Sequence, residues 1–108
     1  MKEKTKKISP MQRSLKLLRE SGWICAIVEK YNPFAKVRQD LFGFGDILAL
    51  RQGEMLAVQT TTKENVLARK KKIKENPNCE LLKSAGCNGH IHGWSKSKSG
   101  WECKIIQL

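Results

Sequence analysis

The sequence predicts an α/β domain, a mixed sheet of four to five strands flanked by helices. Three observations predict it. Apolar residues recur at helical spacing near the N-terminus and again past residue 60. Short β-prone apolar runs lie between and after those segments, and Gly or Pro separates the runs. The resulting order is helix, strand, strand, strand, helix, strand, with an extra closing strand.

Each element has its own local cause. Ser9 caps and Pro10 opens the first helix, expected over 10–21, where Met11, Leu15 and Leu18 share a face and Gly22 stops the chain. Trp23 to Val28 is the first strand. Tyr31-Asn32-Pro33-Phe34 breaks it, and a connector runs through Lys36 to Leu41. The second strand, Asp46 to Leu50, turns at Arg51-Gln52-Gly53-Glu54 into the third, Met55 to Thr60. Both are almost wholly apolar, as in strands covered on both faces. Thr61 and Glu64 have capping-box spacing ahead of a second helix over 62–75, with Val66, Leu67 and Ile73 as its apolar stripe. Asn78 to Ala85 adds a turn or two of helix. His90–Trp94 and Trp101–Ile106 are strands joined by 95–100, and symmetry about that loop places Trp94 opposite Trp101 and His92 opposite Cys103.

The chain has 108 residues, room for one domain over 9–108 behind a basic tail over 1–8. Its longest apolar run is far too short to span a bilayer, and no apolar segment follows the charged start as in a secretion signal. A cytoplasmic protein with free thiols is expected, without membrane or small-molecule cofactor. Twenty-one Lys and Arg against ten Asp and Glu leave a net charge of +11, which favours a polyanionic partner, nucleic acid first. Lys63, Arg69, Lys70, Lys71, Lys72 and Lys74 crowd one helix, more cations than a solvated face needs; phosphate contact is the expected role. Cys79, Cys87, His90 and His92 are zinc-type ligands, but they lack the tight spacing of a structural finger.

Gly45-Asp46-Ile47-Leu48-Ala49-Leu50, followed past a short turn by Leu56-Ala57-Val58-Gln59-Thr60-Thr61, resembles the PD-(D/E)xK nuclease superfamily, over about residues 10 to 95. The likeness is to the small archaeal and phage Holliday-junction resolvases and compact phage endonucleases. It implies a restriction-endonuclease-like αβββαβ core, a homodimer, and Mg²⁺- or Mn²⁺-dependent cleavage of DNA, branched DNA included. By that resemblance Asp46 is the principal metal ligand, with the Gln59 amide oxygen and the Thr60 carbonyl beside it. Glu20 falls where many members place a helix-one glutamate.

The chain departs from the family pattern in two places. Gln59-Thr60-Thr61 stands where relatives usually carry Glu-x-Lys, so one carboxylate and one ammonium are missing. Lys63, at the helix start, is the candidate substitute for that ammonium. A catalytically inactive nucleic-acid-binding protein on the same fold is the alternative. Residue by residue, plainer roles also stay open. Asp46 could serve a turn, Gln59 could be a satisfied interior amide, and Glu20 could be a solvated helix residue.

Overall fold

The computed structural model describes residues 8–108, so the predicted basic tail, apart from Ile8, lies outside the described residues. Helix α1 (Pro10–Glu20) starts at Ser9, whose Oγ accepts from the Gln12 N–H at 3.2 Å. Strands β1 (Ile24–Ile27), β2 (Lys30–Asn32), β3 (Val37–Gln39), β4 (Ile47–Arg51) and β5 (Glu54–Thr62) follow. A single 3-10 turn (Lys63–Asn65) leads into α2 (Val66–Lys74) and α3 (Pro77–Ser84), and β6 (Asn88–Ser97) and β7 (Gly100–Gln107) close the chain.

Five strands form one mixed sheet in the order β1-β4-β5-β6-β7. Only β5 and β6 run parallel, and α2 and α3 make the crossover that such a pair requires. On one face Leu15 and Leu18 of α1 bury against Ile47, Ala49, Leu56 and Val58. On the other, Val66, Ile73 and Cys79 from the crossover cover Phe44 and Ile91. Leu56 to Gln59 is therefore buried on both sides, as the apolar run of β5 predicts. Strand β4, by contrast, is fully covered on one face only, with Leu48 half-buried and Leu50 45% exposed on the other. Among the described residues, no helix is long and apolar enough to cross a membrane.

Four local expectations are corrected. The connector after Tyr31 is a β-hairpin, β2 with β3, paired only to itself. The Thr61–Glu64 capping box does not form. Thr62 precedes the 3-10 turn instead, and its Oγ1 accepts from Asn65 Nδ2 at 3.1 Å. Leu67 is 75% exposed, because Val66 and Ile73, seven residues apart, define the buried line and Leu67 sits about 100° around the helix. In the last hairpin Trp94 pairs with Cys103 and Lys96 with Trp101, while His92 pairs with Ile105. The strands continue to Ser97 and Gly100, so only two residues turn the corner. The register moves by two, which keeps every side chain on its expected face.

Trp94 and Trp101 consequently part company. Trp94 Nε1 donates to Ser14 Oγ at 2.9 Å inside the protein, and Ser14 Oγ lies 2.8 Å from His92 Nδ1. Trp101 lies beneath the Arg13 guanidinium, 3.8 Å from the ring centre.

Candidate active site

The Arg51–Glu54 turn sets the register of β4 against β5, with Ile47 opposite Val58. One step further, Asp46 comes opposite Gln59. The Asp46 backbone is fixed from both sides. Its N–H donates to the Val58 carbonyl at 2.8 Å, and its carbonyl accepts from the Val28 N–H at 2.9 Å. Both side chains are buried, at 3% and 5% exposure, and they meet on one face. Gln59 Nε2 and the Thr60 N–H each donate to Asp46 Oδ2 at 2.8 Å, and Thr60 Oγ1 donates to it at 3.2 Å.

The other carboxylate oxygen, Asp46 Oδ1, is buried and has no hydrogen-bond partner. A buried anionic oxygen left in this state is costly unless something outside the chain meets it. Two further carboxylates surround it. Glu29 leaves the end of β1, and Asp40 follows β3, so that single oxygens of Glu29, Asp40 and Asp46 lie within 4.8 Å of one another. Among the described residues this is the only such grouping, and the Cys79, Cys87, His90, His92 set does not converge.

Asp40 is brought back by the Leu41–Gly45 loop, closed by Leu41 N–H to Gly45 O at 2.8 Å and Gly45 N–H to Leu41 O at 2.9 Å. A Cβ at Gly45 would sit 3.1 Å from that of Leu41, so the close return favours glycine. Burial, then the nearby Asp46 charge, raise the carboxyls of both Glu29 and Asp40 above their ordinary range. Arg38 opposes this at both, binding Glu29 Oε1 through Nη1 at 3.0 Å, and Arg69 and Lys72 oppose it further at Asp40.

The three acids line a cleft of about 830 Å³, whose walls include Gln59, Thr60, Thr61, Arg38, Arg69 and the start of α1. A smaller hollow of about 230 Å³ shares Asp40, Gln59 and Arg69 with it and adds Lys72. The six predicted cations of the crossover therefore divide. Arg69 and Lys72, three apart on α2, face the acids. Lys74 borders a different depression with Cys79 and Glu80, Lys71 is exposed, and Lys70 is half-buried. Lys63 is exposed at the 3-10 turn and does not line the cleft.

Glu20 stands apart as well. It is exposed at the C-terminal end of α1, beside Arg13, Lys16 and Trp94, whereas the N-terminal end of that helix borders the cleft. Eight residues of helix separate Gln12 from Glu20, about 12 Å. Glu29, not Glu20, is the third acid at the site, and the sequence carries no signal for it. The loop that returns Asp40 and the end of β1 meet only through the tertiary fold. His92 is sealed in the core. Burial and then neighbouring His90 lower its pKa to about 4. Compared with family models, with curated proteins and with solved structures, the chain matches none.

Proposed function

We propose that this protein is a divalent-metal-dependent DNA endonuclease whose reaction centre is the Glu29–Asp40–Asp46 cleft. The observation that carries the reading is the unpartnered, buried Asp46 Oδ1 set among two further carboxylates. Hard oxygen donors of this kind suit Mg²⁺ or Mn²⁺ better than a thiolate- or imidazole-loving ion. Asp46 and the two acids would hold the cation, with the Gln59 amide oxygen available if that amide turns over. Bound there, a divalent ion supplies an acidified water and neutralises charge on phosphate.

The chain's own residues supply the remainder. Arg69 and Lys72 present cations to a phosphate entering the cleft. The exposed lysines of α2 extend a positive track for the DNA backbone. Element order supports the same reading. With the β2–β3 hairpin set aside as an insertion, α1, β1, β4, β5, α2 and β6 follow the αβββαβ order of the restriction-endonuclease-like core.

A second reading, DNA binding without cleavage, draws on Gln59 and Thr61. The amide of Gln59 donates to Asp46 instead of adding a negative charge, and Thr61 offers no ammonium. Incubation with linear, flapped and four-way-branched DNA in Mg²⁺ or Mn²⁺ separates the two. Cleavage that disappears in Asp46→Ala supports the nuclease. Binding with no cleavage in either metal supports the second reading, and cleavage that survives Asp46→Ala removes the site assignment.

A further inference from the structure

Between β1 and β4 the chain makes an excursion that joins no other strand. The hairpin β2–β3 pairs Lys30 with Gln39, Tyr31 with Arg38 and Asn32 with Val37, and stands outside the five-stranded sheet. Its tip is held in shape. Asn32 Oδ1 accepts from the Phe34 N–H at 3.0 Å and the Ala35 N–H at 3.2 Å, Pro33 fixes its own φ, and Lys36 takes a left-handed φ of 54°. On this ordered turn Phe34 is 97% exposed, with Tyr31 and Val37 exposed behind it. The phenyl ring buries nothing for this fold. Lys30 and Lys36 flank it, and the hairpin has no acidic residue.

The foot of the hairpin is a wall of the cleft, because Glu29, Arg38 and Asp40 all line it. We propose that the hairpin is a wedge that inserts Phe34 between neighbouring bases of a DNA duplex whose backbone lies along the cleft. The inference rests on the DNA-binding half of the reading above and is independent of cleavage. A rigid apolar side chain with cationic flanks suits such insertion, because the lysines neutralise phosphates while the ring replaces a lost stacking partner. A second copy of the chain is a poorer occupant, since two lysine-flanked tips repel on a molecule already at +11.

The substrate class follows from the cost of opening a base step. A wedge works most readily where stacking is already weak, at a branch, flap, nick or mismatch. Phe34 and Asp40 are six positions apart, a reach of about 20 Å, or about six base pairs along a duplex. The opened step is therefore expected within about half a helical turn of the phosphate in the cleft.

The test uses the full chain, without divalent metal, on branched and linear duplexes carrying 2-aminopurine at chosen positions. The expected result is a several-fold rise in 2-aminopurine emission at the branch on binding. Phe34→Ala should bind with similar affinity and lose the rise, and Phe34→Trp should restore it with quenching of the new indole. Phe34 touches no core residue, so these variants fold. Binding without any rise, or a rise unchanged in Phe34→Ala, overturns the wedge. So does self-association in sedimentation that Phe34→Ala abolishes with no change in the DNA signal. Absence of DNA binding both without metal and in Mn²⁺ overturns wedge and nuclease together. A rise without cleavage in Mg²⁺ or Mn²⁺ supports the wedge and counts against the nuclease alone.

Discussion

Gln59 Nε2 donates to Asp46 Oδ2 at 2.8 Å across the β4–β5 pair, so an amide and not a second carboxylate faces Asp46. The amide neutralises none of the charge that Asp46, Glu29 and Asp40 concentrate there. Gln59→Glu should therefore act in opposite directions with and without metal. Metal-free protein loses a charge-assisted hydrogen bond and gains repulsion, about 2 kcal/mol of stability. Mn²⁺ affinity rises by about tenfold or more with the added negative ligand. Thermal unfolding with and without Mn²⁺ reads both effects, and a change of the same sign in both conditions contradicts the arrangement.

Acid clustering gives the proposed metal site a pH signature. Glu29 and Asp40 hold protons more tightly in the fold than their ordinary values of 4.5 and 3.8, so their contribution to stability is complete below those values. It is lost as pH climbs through the raised values, where the carboxyls ionise against Asp46. A divalent cation relieves that repulsion. The stabilisation given by Mn²⁺ should be small at acid pH and grow towards neutrality, approaching about 2.7 kcal/mol at a hundredfold excess over Kd. Glu29→Gln should flatten the trend. Melting temperatures across pH, with Mn²⁺ and with EDTA, make the comparison.

The core histidine titrates in the other direction. His92 is buried neutral with its pKa lowered from 6.5 to about 4, so its contribution is present above 6.5 and lost as pH falls through about 4. The loss across that window is about 3 kcal/mol. Ser14→Ala should add a penalty at every pH, about 1–3 kcal/mol, because Trp94 Nε1 and His92 Nδ1 would both lose their buried partner. Urea midpoints at neutral and acid pH for wild type, Ser14→Ala and His92→Gln test this. An unchanged acid dependence in His92→Gln would contradict it.

Arg69 lines the cleft and Lys63 does not, so the proposed reaction centre separates their effects. Arg69→Ala should slow DNA cleavage by about 10²-fold, the effect of removing a cation aimed at developing phosphate charge. Lys63→Ala should leave the rate nearly unchanged and weaken binding only as one surface phosphate contact does. Single-turnover rates distinguish them, and a larger loss in Lys63→Ala would return that lysine to the site.

The fold was largely legible because its apolar runs are sharply bounded. Gly53 fixes the β4–β5 turn, and that turn alone sets Asp46 opposite Gln59. The β2–β3 hairpin was not legible, since its three-residue strands carry no apolar alternation and bury almost nothing. Leu67 misled because two apolar neighbours cannot both lie on one line of a helix, and the 3-10 turn before α2 hides its phase. The last hairpin slipped by two residues because Lys96 and Ser97 look like loop yet extend the ladder. At the site, the Asp46–Gln59 pair follows from local register. Glu29 and Arg69 join it only because β1 pairs with β4 and α2 packs on β6, which no spacing in the chain encodes.

The most direct measurement is a Mn²⁺ titration of the purified protein, followed by the loss of free-ion paramagnetic resonance. Wild type should take up Mn²⁺ saturably, and Asp46→Asn should bind about tenfold more weakly or worse. No saturable uptake, or equal affinity in Asp46→Asn, would contradict a cation site built on the unpartnered oxygen of Asp46.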